Sequence, residues 1–335
     1  MAHNAPFGPM DGVDGVDGVD GVDGVDGVDG LDLLGASAGR SGNIRPIGVV
    51  PEITRRPNET DYRGHRWPPA LDGVAQWGSA SGGIAPRLTD FSPANASLLI
   101  LSEFLRVPGS ATIRKWDQIL DVAADRPDTS PAALEHERRE LILLAQYRAG
   151  AMAEALAQRN GIIGYFRGIL HFSVTTHPFT YYLAAAALRI GQFQCMHYKG
   201  VFNRPRPVRL FPELMPPIEP PGHSAFPSGH STQSFLIARC LETVVPVAIG
   251  APSGGKPSPY ARLAERLAKN REVLGVHYPS DTAAGMKLAE GCFKLMLQCP
   301  SIAGSGGAMA DTIDDASIYA NGWIAQARKE WEPRR

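Results

Sequence analysis

Between Lys199 and Asp281 the chain gathers two cationic clusters, two histidines and a carboxylate at spacings that suit one tetrahedral oxyanion. Lys199 and Arg206 stand seven positions apart, and Arg206 is followed by Pro207. Pro227-Ser228-Gly229-His230 is a turn opening an apolar, helix-like run, and Arg271, His277 and Asp281 follow at steps of six and four. A phosphate or vanadate dianion needs this toolkit: fixed cations, backbone N–H donors at a helix start, and an imidazole held by a carboxylate. In the first block, prolines 205 and 207 fix their own φ and restrict the arginines before them, which argues for set geometry rather than a loose basic loop. Arginine forks onto two oxygens of the anion, and lysine supplies a point charge.

In the second block Gly229 lets the backbone approach an anion, the helix start turns N–H groups and a positive dipole end towards it, Ser228 adds a hydroxyl, and His230 would carry a proton to a leaving oxygen. Alone, the same turn could be a plain helix cap. In the third block Pro279 suits a first helical turn, and Asp281 can accept one imidazole N–H of His277 and leave the other nitrogen free to attack. Alone, this too could be an ordinary capped helix start. The three blocks in order point to an enzyme.

The elements that must position these groups read as helices. Ser92-Pro93 opens a helix that ends before Pro108-Gly109, and Ser110 can cap another through Ala123. Ser130-Pro131 starts what reads as the longest helix, with Leu134, Leu141, Leu144, Arg148, Met152 and Leu156 recurring at helical steps. Pro178 opens a helix over Tyr181 to His197, whose alanines permit close packing, and Lys199 closes it. Further helices are expected at about 230–246, 258–275 and 280–298, with a shorter one near 313–330. Strand-like alternation is scarce, and Pro205 to Pro227 reads as an ordered loop. The fold expected is all-α, a bundle with its active loops at one end.

Residues 11–30 repeat Asp-Gly-Val; without proline this is no collagen, and it reads as a flexible segment with no fold of its own. The division expected is an irregular, disordered N-terminal tail or arm over 1–90 and a helical domain over 91–335. With 44% hydrophobic and 20% charged residues the chain can bury a sizeable core. A net charge of −1 leaves no general attraction for nucleic acid, and the arginines lack interleaved aromatics. The four cysteines show no metal-ligand spacing; Cys292 and Cys299 read as buried thiols on one helix face. No signal peptide is expected, because Met1 to Pro6 lacks a basic start and an apolar run. The best apolar run, Phe235 to Gly250, is broken by Arg239, Glu242 and Pro246, so no integral membrane span is expected and a cytoplasmic location is. Oligomeric state cannot be read from the sequence.

Lys-x6-Arg-Pro, Pro-Ser-Gly-His and Arg-x5-His-x3-Asp together resemble the signature of the type 2 phosphatidic acid phosphatase and vanadium haloperoxidase superfamily. The motifs span 83 residues, about a quarter of the chain, and the ordered triple is far more specific than any one block. The resemblance implies an α-helical bundle of the acid phosphatase and haloperoxidase type. It implies that Lys199, Arg206 and Arg271 hold the non-bridging oxygens, with Ser228 and the Gly229 amide completing the cradle. His277 would attack phosphorus to form a phosphohistidine, Asp281 would orient it, and His230 would be the general acid–base. The phosphatases need no cofactor and act on a phosphoester, here expected to be a small molecule. The haloperoxidases hold vanadate in the same cradle, with His277 as vanadium ligand, and use halide and hydrogen peroxide. His223, seven residues before His230, and Thr232-Gln233 are similar to bromoperoxidases, where a second histidine could tune the peroxide; His223 could equally be a loop histidine bonded to backbone. The Lys199–Arg206 gap, His277-Tyr-Pro-Ser-Asp281 and the chain length look like the bacterial phosphatases. The expectation is a phosphatase, with a vanadium haloperoxidase as the alternative; a non-enzymatic helical binding module would leave the His277–Asp281 pairing without a purpose.

Overall fold

A computed structural model describes residues 91–110, 113–246, 256–304 and 322–332. The Asp-Gly-Val repeat, the expected tail up to residue 90 and the first half of the segment near 313–330 lie outside the described residues; its second half is helical from Trp323. The fold is all-α, and no β-strand forms among the described residues. In chain order the helices are α1 (Pro93–Arg106), α2 (Pro131–Ala145), α3 (Arg148–Ala157), α4 (Ile162–Ile169), α5 (Pro178–Phe202), α6 (Pro207–Leu210), α7 (Gly229–Val244), α8 (Pro259–Val273), α9 (Pro279–Met296), α10 (Pro300–Ala303) and α11 (Trp323–Glu330).

Three of these begin on the same local chemistry. Ser92, Ser130 and Ser258 each precede a proline, sit in extended backbone, and accept an N–H from the first turn through Oγ. The proline has no N–H to leave unsatisfied, and the serine satisfies one that the helix cannot. α5 runs through the middle of the molecule and is buried along most of its length. It packs against α1, α7 and α11, and α7 packs in turn against α8 and α9. Tyr181 and Leu188 of α5, Leu236, Ile237 and Leu241 of α7, and Leu288 and Leu295 of α9 share one apolar core. Each such side chain contributes about 1.5–3 kcal/mol by leaving water. α7 and α9 cross closely at Gly285, where a Cβ would stand 2.7 Å from Cβ of Ser231 and 2.8 Å from the Ser228 carbonyl. Ser231 Oγ donates to the Thr282 carbonyl at 2.8 Å across the same joint. The starts of α7 and α9 are thereby locked together.

Several expectations need correction. The helix expected from Ser110 does not form among the described residues 113–123. Oγ of Ser110 does accept the Ile113 N–H, but its own N–H returns to the Ile113 carbonyl at 2.7 Å, closing the loop on itself. Further on, Oδ1 of Asp121 takes the N–H groups of Ala123 and Ala124, and the Tyr198 hydroxyl takes that of Leu120, so side chains draw this backbone out of a helical ladder. The run from Pro131 to Leu156 breaks at Gln146-Tyr147 into α2 and α3, and α5, at 25 residues, is the longest helix described. The break frees Arg148 to reach across the fold (see below). Cys292 and Cys299 are both buried thiols, but Cys299 lies past the end of α9, at the start of α10, and not on one helix face with Cys292. The proline-rich span holds α6 and a short 3-10 turn at Pro212–Leu214 within otherwise irregular chain. No described helix is long and apolar enough to cross a membrane.

Candidate active site

The site is built where α5 and α8 end and α7 and α9 begin. Lys199 occupies the last turn of α5, and the helix stops at Asn203, whose left-handed backbone (φ 46°) turns the chain into Arg204-Pro205-Arg206-Pro207. Asparagine tolerates that conformation better than most residues. Nζ of Lys199 donates to the carbonyls of Ser224 at 2.8 Å and Ala225 at 3.1 Å, and Oγ of Ser224 returns a bond to the Lys199 carbonyl at 2.6 Å. The lysine thus holds the loop that leads into Ser228.

Ser228 is the N-cap of α7, with Gly229 and His230 as its first helical residues, all buried. The Ser228 N–H donates to the carbonyl of Asp281 at 3.0 Å, tying this turn to the start of α9. Nε2 of His230 donates to the backbone carbonyl of Gln158 at 3.2 Å, and Asn270 donates to the Gln158 side chain at 2.7 Å. Arg271, the next residue, is 1% exposed in the last turn of α8, and its carbonyl accepts the N–H of Val276, immediately before His277.

His277 and Asp281 are both fully buried, with Nδ1 of His277 3.0 Å from Oδ2 of Asp281. The same carboxylate oxygen accepts the Tyr278 N–H at 2.9 Å, so Asp281 orients the imidazole and caps α9 at once. Nε2 of His277 lies 3.0 Å from Nη1 of Arg206. Guanidinium nitrogens only donate, so the Nδ1–H tautomer satisfies both contacts and turns the Nε2 lone pair towards Arg206. Arg206 is itself pinned by the carbonyls of His223 at 3.0 Å and Val276 at 2.7 Å, and its Nη2 faces Nδ1 of His223 at 3.1 Å. Beside Arg206 and His223 opens a cleft of about 830 Å³, with Arg209 and Glu219 also on its walls.

His277, Asp281, Arg206 and His223 therefore touch directly, and Ser228 joins them through backbone. Arg271 connects to the same group through Val276, and Lys199 through Ala225 and Arg204, whereas His230 leads through Gln158 to Asn270, the neighbour of Arg271 in α8.

Two charged residues at this site were not among the motif positions. Arg204 donates from Nη1 to Oδ1 of Asp281 at 2.7 Å and from Nη2 to Oε2 of Glu137 at 2.5 Å, and its guanidinium lies 3.7 Å over the Tyr278 ring. Burial pushes the Asp281 carboxyl upward, but the His277 hydrogen bond, the Arg204 charge and the Tyr278 N–H together outweigh it and hold the carboxyl below its ordinary value. For Arg204 the signals in the sequence were its place between Lys199 and Arg206 and the proline that follows it. Glu137, on α2, carried none. Among the described buried residues here there are four cations, Lys199, Arg204, Arg206 and Arg271, to two carboxylates, Asp281 and Glu137; Glu272, also buried, pairs with Lys269. A buried surplus of positive charge suits an anionic ligand.

Residues 178–304, which contain every motif position, match the PAP2 superfamily. The match covers that span alone, less than half of the chain. It is also 29% identical over 151 residues to the decaprenylphosphoryl-5-phosphoribose phosphatase of Mycolicibacterium smegmatis, covering 40% of this chain and 77% of that protein. With the enzyme of the same name from Mycobacterium tuberculosis it shares 27% identity over 158 residues, covering 41% of this chain and 80% of the relative. Glu137 and Arg148 precede the matched span, so α2 and α3 contribute to this site from outside it.

Proposed function

We propose that the chain hydrolyses a small-molecule phosphomonoester through a phosphohistidine on His277. The PAP2 superfamily match and relatives named as phosphatases support phosphoester hydrolysis. The observation that carries the finer reading is the imidazole of His277, with Nδ1 on Asp281 at 3.0 Å and Nε2 beside Arg206 at 3.0 Å. A phosphoester entering by the neighbouring cleft brings phosphorus to Nε2. The Nε2–P bond forms as the bond to the leaving oxygen breaks, and His230 gives that oxygen a proton. Lys199, Arg206, Arg271, Ser228 and the Gly229 amide take the charge on the non-bridging oxygens. Water then attacks phosphorus, His230 recovers the proton, and the electron pair of the Nε2–P bond returns to the ring. Protein cations supply the charge stabilisation, so the proposed reaction uses no metal. The division at residue 90, the cytoplasmic location and the absence of a membrane span belong to this proposal; fractionation of cells expressing the full chain tests the last two.

A second reading rests on His223, whose ring meets Arg206 at 3.1 Å. Vanadate is a tetrahedral anion like phosphate, and the donors around His277 fit it; once bound, it would supply peroxide activation for halide oxidation. One preparation decides between the two. Phosphomonoester hydrolysis without vanadate, lost in His277→Ala, is expected, and brisk bromide oxidation with vanadate and peroxide alongside feeble hydrolysis would overturn the phosphatase reading.

A further inference from the structure

Glu137 sits on α2, 67 positions from Arg204 and 143 from Ser280, yet it closes against both. Oε2 accepts from Arg204 at 2.5 Å, and Oε1 accepts the Ser280 N–H at 3.1 Å and its hydroxyl at 2.5 Å. Arg204 in turn holds Oδ1 of Asp281 at 2.7 Å, and Oδ2 of Asp281 holds Nδ1 of His277 at 3.0 Å. The result is a buried line of alternating charge, carboxylate, guanidinium, carboxylate and imidazole, ending on the ring proposed as nucleophile. We infer that Glu137 is a positioning residue for His277, acting through Arg204 and Asp281.

The physical argument has two parts. A buried guanidinium paired with Asp281 alone would compete with the imidazole for that carboxylate's charge. Glu137 takes a share of the guanidinium, so Asp281 stays a strong acceptor for the Nδ1–H of His277. Glu137 also grips the first turn of α9 at Ser280, so Arg204 and the backbone carrying Asp281 are held by one carboxylate. Neither function needs Glu137 to touch substrate, and with Arg204 held at both ends its fork cannot swing towards the cleft. Lysine at position 204 could not make both links, because a point charge lacks the planar fork.

The inference rests on the phosphohistidine reading, and the experiment separates the two. In the full chain, the proton on Nδ1 of His277 is observed as a low-field resonance by NMR, assigned by its loss in His277→Ala, and steady-state rates are measured with a chromogenic phosphomonoester. Glu137→Gln is expected to move that resonance upfield and to lower kcat about 10-fold, with KM within twofold of wild type. Glu137→Asp keeps the charge and is expected to recover part of the loss. An unmoved resonance in Glu137→Gln, or equal kcat in the two variants, overturns the inference. Should the glutamine variant not fold, the resonance in Glu137→Asp carries the test: displacement is expected, and an unchanged position overturns it. Wild-type protein without hydrolytic activity would sink the proposed reaction and leave the resonance measurement standing.

Discussion

Nη1 of Arg206 stands 3.0 Å from Nε2 of His277, the ring nitrogen that Asp281 does not hold. That N–H meets the lone pair a nucleophile would use, so an incoming oxyanion must take over the Arg206 contact before Nε2 can attack. The same guanidinium is fixed by the carbonyls of His223 and Val276, so it meets an incoming oxyanion with little reorganisation.

His277→Ala should lower phosphomonoester turnover by at least about 10³-fold, since no other group takes over a nucleophile's part. Rapid quenching with labelled substrate should trap an acid-labile phosphoprotein in wild type and none in the variant. A variant that still forms it would move the nucleophile elsewhere.

Arg271→Ala should cost about 10²–10³ in kcat, the usual loss for one oxyanion donor. Lys199→Arg should also impair turnover, because a fork cannot reproduce the two carbonyl contacts of the Nζ ammonium. Turnover near wild type in Arg271→Ala would make that buried arginine a structural residue.

Acid stability should depend on Asp281. Its folded carboxyl is held below the ordinary value of 3.8, so its contribution is complete above that value and is lost as the pH falls through the folded one. Urea unfolding at pH 7 should show Asp281→Asn weaker by about 3–5 kcal/mol, the cost of leaving a buried partner charge uncompensated. The difference from wild type should shrink as the pH is taken below 3.8. A constant difference across that range would assign the stabilisation to packing.

Arg148 should matter to stability more than to chemistry. From the start of α3 it donates to the carbonyls of Val273 at 2.8 Å, Leu274 at 3.4 Å, Leu214 at 2.8 Å and Met215 at 2.9 Å. It thus joins the end of α8, just before His277, to the loop after α6. Arg148→Met should lose about 2–4 kcal/mol in chemical unfolding by leaving carbonyls unsatisfied. Gly275→Ala should destabilise too: φ is +77° there, and a Cβ would meet Nη2 of Arg148 at 2.8 Å. Unchanged midpoints in both would remove this joint from the architecture.

His223→Ala should leave hydrolysis within a few-fold, because the Arg206 contact to the residue 223 carbonyl survives the substitution. A drop comparable to that of Arg271→Ala would put the His223 ring in the phosphoryl-transfer site.

Much of this site is local chemistry and was therefore legible in the chain. Serine before proline starts a helix through groups three residues apart, and His277 and Asp281 meet because four residues make about one turn beside Pro279. The order of Lys199, Arg206, Ser228 to His230, Arg271 and His277 carried the family resemblance, and with it the expectation that these groups converge. What only the tertiary structure decided depends on residues far apart in sequence. The broken helix at Gln146-Tyr147, the turn of Arg148 towards two remote loops, the Gln158 carbonyl on His230 and the closure of Glu137 on Arg204 all depend on how α2 and α3 pack against the rest of the fold. No spacing rule reaches across such separations, because a buried charge takes whatever partner the packing brings within a few ångströms, and packing is a property of the whole core.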